Sequence, residues 1–187
     1  MISSKSDIRR VSGNIVRRRE MEVPWAYDSV RLLAKNLRLK TPAISSSRFQ
    51  RVPVSRTLGG MGLRVIQERR TQRVTRDIVR RGTGPTSILA ELAIDGVTYT
   101  FDRIRVGFSE IEIEVKGPGG LPTVREVANA LVSKYQPLLH GWSHGKFMTG
   151  LAIGKLLEIK KLQRYLADGE LKPGAFQLID RTIRSGF

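Results

Sequence analysis

Between residues 109 and 116 charged and apolar side chains alternate without a break. Glu110, Glu112, Glu114 and Lys116 stand at one parity, Ile111, Ile113 and Val115 at the other. A period of two is that of a β-strand, so the run predicts a strand with a ladder of carboxylates on one face and an apolar opposite face. Residues 15–23 predict a second strand, ended by Pro24. Residues 63–80 predict a third. Residues 88–101 read as a hairpin turning at Asp95-Gly96, with Glu91, Ala93 and Asp95 on one face. Helical spacing replaces the period of two in residues 26–38, where Val30, Leu33, Ala34 and Leu37 form a stripe. It returns after Thr123, which is placed to cap a helix reaching Tyr135, then in 155–167 and in a short helix over 175–184. Residues 1–14 follow neither period and predict a loose start. Residues 43–62 predict a short strand around 49–54, and Leu58-Gly59-Gly60-Met61-Gly62 reads as a turn, because the lysine and helix start of a phosphate loop do not follow. Strand, hairpin, strand and helix in this order predict an α+β fold.

Composition adds a polyanion to the picture. Lys and Arg number 33 against 17 Asp and Glu, and the excess is concentrated early: 20 against 6 up to Arg81, then 13 against 11. Such a charge favours nucleic acid, polyphosphate, nucleotides or anionic lipid. The absence of cysteine excludes disulfides, thiolate metal sites and a cysteine nucleophile. No apolar run is long enough to cross a bilayer, and membrane insertion is not expected; a soluble, cytoplasmic protein is.

The glutamate ladder is compatible with a solvated edge strand and with a cation site. Three like charges on one face repel unless positive charge sits among them. Hard divalent ions such as Mg²⁺ or Mn²⁺ prefer carboxylate oxygen, and Glu91 and Asp95 are placed to face the same space. Arginines over 17–19 and 69–76 suit bidentate phosphate contacts or a sequence-independent nucleic-acid surface. His140 and His144 are too few for a zinc site, no Ser/His/Asp order suggests nucleophilic catalysis, and isolated Trp25 and Trp142 make no stacking platform.

Taken together, the motifs resemble the CYTH family, the triphosphate tunnel metalloenzymes that include class IV adenylate cyclases, thiamine triphosphatases and short-chain polyphosphatases. The segments carrying the resemblance are Ala90-Glu91-Leu92-Ala93-Ile94-Asp95-Gly96-Val97, Phe108-Ser109-Glu110-Ile111-Glu112-Ile113-Glu114-Val115-Lys116 and Gly145-Lys146-Phe147-Met148-Thr149-Gly150-Leu151-Ala152-Ile153. Residues 16–23 and 68–73 resemble the family's basic middle strands. The resemblance implies an antiparallel β-barrel, a tunnel with flanking helices, spanning residues 9–154. Residues 1–8 are then a loose N-terminus and 155–187 a C-terminal helical extension.

The resemblance also implies a set of roles. Glu91, Glu110, Glu112 and Glu114 become ligands of Mg²⁺ or Mn²⁺, and Arg18, Arg70, Arg73 and Lys146 the grip on phosphate, with Glu20 and Asp95 supporting. Glu110, Glu112 and Lys146 become the catalytic groups of a triphosphate or short-polyphosphate hydrolase. The family opens with a Glu-x-Glu-x-Lys strand that nothing before Arg9 supplies. Glu112-Ile113-Glu114-Val115-Lys116 fits that pattern, but too little chain follows it to build a tunnel, so the chain reads as an N-terminally shortened member. The alternatives are a noncatalytic binder of RNA, DNA or polyphosphate, and an adenylate cyclase using the same apparatus.

Overall fold

The computed structural model describes residues 2–12, 15–80, 82 and 87–186, with side chains described from Pro24 onward. The chain divides into two compact units, Met1–Ile66 and Gln67–Phe187.

In the first unit, β1 (Ile2–Ser12) and β2 (Ile15–Val23) pair antiparallel, so residues expected to be loose are backbone-paired. The helical stripe after Pro24 is realised as α1 (Tyr27–Asn36), which buries Val30 and Ala34. Instead of a strand around residues 49–54 there are two short helices, α2 (Ser46–Phe49) and α3 (Val54–Gly60). Phe49, at the start of that expected strand, is fully buried and stacks on Trp25 at 5.1 Å, so its aromatic bulk serves a small core with Val30, Ala34 and Met61. The glycines after Leu58 finish α3, and Gly62 takes the positive φ of 86° that follows it.

The second unit is built on a five-stranded sheet in the order β3-β4-β5-β7-β6. Three long strands, β3 (Glu68–Val79), β4 (Ile88–Phe101) and β5 (Ile104–Val115), run antiparallel. Two short ones, β6 (Leu166–Ala167) and β7 (Glu170–Leu171), complete it, β7 joining β5 in parallel through Gly107 and Glu170. The α+β class holds. The expected barrel is not formed by the described residues, because the sheet is open, with β3 at one edge and β6 at the other.

Residues 88–101 are one strand, without a turn at Asp95-Gly96; the chain reverses at Asp102, whose φ is 50°. Asp-Gly is a turn signal because Asp supplies local hydrogen bonds and Gly accepts positive φ. Here the Asp95 side chain is taken by Arg73 on the neighbouring strand and by Lys146 from outside the sheet, and the extended backbone continues through both residues.

Three helices accompany the sheet: α4 (Gly120–Tyr135), which follows Gly119 at φ 75° rather than a Thr123 cap, α5 (Lys146–Glu158) and α6 (Pro173–Ser185). The helix expected over 155–167 therefore starts nine residues earlier and ends sooner. Gly150 and Gly154, which weaken the helical reading by propensity, are where α5 meets the sheet most closely. A Cβ on Gly150 would lie 2.4 Å from Cε1 of Tyr99, and one on Gly154 would lie 3.0 Å from Cε1 of Phe101. The main core follows from this approach: Val97 and Tyr99 of β4, Val106 and Phe108 of β5, Ala152, Ile153 and Leu156 of α5, then Leu162, Ala175 and Ile179.

Candidate functional site

The pairing of β3, β4 and β5 lays the charged residues out in rows across one sheet face. Arg73 stands opposite Asp95, and Asp95 opposite Glu110. Along the same face come Thr75, Ala93 and Glu112, then Asp77, Glu91 and Glu114. In the other direction the face turns apolar, through Val97 and Phe108 to Tyr99 and Val106, and this half is the part of the core on which α5 packs. One face therefore carries a buried apolar half and a charged half. Lys146, the first residue of α5, reaches the charged half from the boundary.

Five side chains interlock there. The Arg73 guanidinium forks onto Asp95, with Nε to Oδ1 at 2.7 Å and Nη2 to Oδ2 at 2.6 Å, and Nη2 also donates to Oε2 of Glu112 at 2.5 Å. The Lys146 ammonium lies 2.9 Å from Oδ2 of Asp95 and 2.7 Å from Oε1 of Glu112, and it contacts Oε1 of Glu110. Asp95 is completely buried, while the Lys146 and Glu110 side chains are 12% and 16% exposed. Arg73 and Glu112, at 42% and 35%, form the open side.

Charge and burial set the protonation preferences. The hydrogen bond from Arg73 holds Asp95 below the ordinary aspartate range against the opposing effect of burial, with Lys146 adding to it. Burial pushes Glu110 up, and Lys146 only partly offsets this. Burial acts on Glu112 in the same sense, but the cations Lys146 and Arg73 outweigh it and bring Glu112 below its ordinary value. For Lys146 burial would lower the value; Glu110, Glu112 and Asp95 together overcome it and raise it.

Tyr99 links the core to this group. Its ring is fully buried, and its hydroxyl donates to the Lys146 carbonyl at 2.5 Å, fixing the backbone from which the ammonium projects. Burial pushes its phenol up to about 12, with Arg69 acting in the opposite direction. Tyr99 does not stand out in a search for charged motifs, and Arg69 appears there only as one of the arginines over 69–76. The signal that ties the two together is parity, since Arg69, Arg73 and the face of Tyr99 belong together once β3 and β4 are set in register.

The sequence-derived candidates divide accordingly. Glu110, Glu112, Arg73 and Lys146 are brought together, and Asp95 is at their centre. Glu91 and Glu114 share the face but form a separate group around Lys116, whose Nζ lies 3.5 Å from Glu91 Oε1 and 2.6 Å from Glu114 Oε2. Arg70 is not in the site, because three positions from Arg73 on a strand it projects from the opposite face. Arg18 and Glu20 fall on β2, and their side chains lie outside the described residues. His144 pairs with Asp180 of α6 at 2.7 Å, and Trp142 bonds Thr149, so both tie the α4–α5 connection to the core.

In donor chemistry Asp95, Glu110 and Glu112 suit a hard divalent cation, each bringing an oxygen to within 4.8 Å of the others. The Lys146 ammonium is in contact with all three. No family model matches the chain, and neither a curated protein nor a solved structure matches it.

Proposed function

We propose that the chain binds a triphosphate or short polyphosphate together with Mg²⁺ or Mn²⁺ on the charged half of the sheet face and hydrolyses it, as a CYTH-like protein whose tunnel wall is incomplete. The observation that carries this reading is the interlocked set of Arg73 and Lys146 with Asp95, Glu110 and Glu112, half-buried and open on the Arg73 side. Ion pairs that serve only stability do not require three carboxylates around one ammonium, with one of those carboxylates pushed by burial toward its neutral form.

When bound, the cation supplies positive charge against the phosphoryl group being transferred. Asp95, Glu110 and Glu112 would hold it, Asp95 taking the place expected of Glu91 and Glu114. Arg73 commits Nε and Nη2 to the carboxylates, which leaves Nη1 of this partly exposed side chain for a phosphate oxygen. Lys146 provides the second positive group. Since phosphoryl transfer depends mainly on positioning and charge neutralisation, these groups need to orient and neutralise rather than form a covalent intermediate.

Phosphate release from tripolyphosphate with and without Mg²⁺ or Mn²⁺ tests the reading. Turnover is expected only with the cation. It is expected to fall at least tenfold in Glu112→Gln, a loss on the scale of removing one charge-stabilising group, and to be unchanged in Glu126→Gln, which alters an exposed residue of α4. Equal effects of the two substitutions would rule out the sheet face as the site.

One observation favours a second reading, noncatalytic polyanion binding. Arg69, Arg70 and Arg76 are exposed along β3, the open edge of the sheet. A binder of that kind loses affinity steeply with salt and is indifferent to divalent cation, whereas the site proposed above is strictly cation-dependent.

A further inference from the structure

The ammonium of Lys146 touches the same three carboxylates that would hold a divalent cation, so both cannot occupy that position at once. We propose that Lys146 is a built-in competitor for the cation: it occupies the carboxylate group until a divalent ion displaces it, and the displaced ammonium is then free to meet an anion. This rests on the cation-dependent reading given above and concerns how the site is loaded.

Charge balance favours the exchange. Three carboxylates face two cationic side chains, Arg73 and Lys146, and a divalent ion in place of one ammonium balances the third negative charge. Geometry selects Lys146 as the group that leaves. Arg73 is held by a bidentate fork on the fully buried Asp95, whereas Lys146 makes point contacts from a flexible four-carbon stem. Its backbone need not move, because the Tyr99 hydroxyl and the helix that follows hold it in place. The stem can swing while Cα stays fixed. Because Lys146 is the first residue of α5, the released ammonium remains beside the positive end of that helix, which also favours an anion.

Two measurements on the full chain test this without reading turnover. In the first, Mn²⁺ binding is followed by titration calorimetry at constant ionic strength for the wild type, Lys146→Met and Lys146→Arg. Lys146→Met, which keeps the length and removes the charge, is expected to bind Mn²⁺ at least tenfold more tightly than the wild type. Lys146→Arg is expected to bind no more tightly. Equal or weaker binding by a folded Lys146→Met protein overturns the proposal.

The second measurement uses the wild type alone, so it decides even where Lys146→Met does not fold. Lysines are acetylated with an amine-reactive ester, with and without Mg²⁺, and quantified by mass spectrometry. Mg²⁺ is expected to raise labelling of Lys146 at least threefold and to leave the half-exposed Lys155 unchanged. Labelling of Lys146 that stays constant or falls overturns the proposal. A chain that passes both tests but ignores tripolyphosphate would keep the competition and lose the proposed function, while cation-dependent turnover with unaltered Lys146 labelling would do the reverse.

Discussion

Tyr99→Ala is expected to lower the stability of the Gln67–Phe187 unit by about 3–5 kcal/mol, the range found when a large buried aromatic side chain is truncated. The ring is fully buried, lies 6.3 Å from Phe101 and 6.1 Å from Phe108 between centroids, and packs against the face of α5 that Gly150 leaves open. Removing it also takes away the hydroxyl that donates to the Lys146 carbonyl. Against a total stability of about 5–15 kcal/mol for an ordinary domain, that loss removes from about a fifth of the stability to all of it. Tyr99→Phe keeps the ring and deletes only the hydrogen bond, so its expected cost is about 1 kcal/mol. Urea denaturation followed by circular dichroism distinguishes the two. A Tyr99→Ala protein within 1 kcal/mol of the wild type would mean that α5 does not pack on β4 as described.

The second large effect is a contrast within the charged group. Asp95→Asn keeps the shape but removes the carboxylate that accepts the Arg73 fork and a Lys146 contact, and it is expected to cost about 2–4 kcal/mol. That is somewhat below the full penalty for breaking a buried pair, because Arg73 remains partly solvated. Glu110→Gln is expected to change stability by less than about 0.5 kcal/mol, because burial already disfavours the charge that it removes. Acid titration separates them further. Asp95 is held below its ordinary value, so its stabilising contribution is complete above the unfolded-state value of about 3.9 and is lost as pH falls through the lower folded value. Glu110, raised in the folded state, works in the opposite sense: its charge costs stability at neutral pH, and protonation relieves that cost as pH falls. The stability difference between wild type and Asp95→Asn should therefore stay constant from neutral pH down to about 4 and shrink below it. A difference that grows on acidification would contradict the assigned direction.

The acidic strand was legible because its pattern is local. Alternation at 110–116 specifies which face each glutamate takes, and β5 places them so. The role of Asp95 was half legible: its face was read correctly, but the dipeptide Asp95-Gly96 signals a turn more strongly than any local feature signals a strand. Only Arg73 and Lys146, 22 positions before it and 51 after, explain why the turn does not form. The resemblance puts Arg70 in the phosphate grip beside Arg73, although strand alternation sets them on opposite faces, and Arg69 is the neighbour that shares the site's side. The early start of α5 was hidden for a related reason. Gly150 and Gly154 weaken a helix in isolation, and their value emerges only against Tyr99 and Phe101. In each case the missing information was a partner distant in the chain.

The position of β4 between β3 and β5 has a consequence for amide hydrogen exchange. Its peptide groups are paired on both sides along almost their whole length, so they open only when the sheet itself comes apart. The outward-pointing amides of β3 lie at the open edge, and the first turn of α5 lacks a capping side chain. Asp95 is thus carried by the strand expected to exchange slowest in this unit, while Arg73 and Lys146 approach it from an edge strand and a helix end. The carboxylate is expected to stay in register while the Lys146 ammonium, on its flexible stem, exchanges on a faster clock.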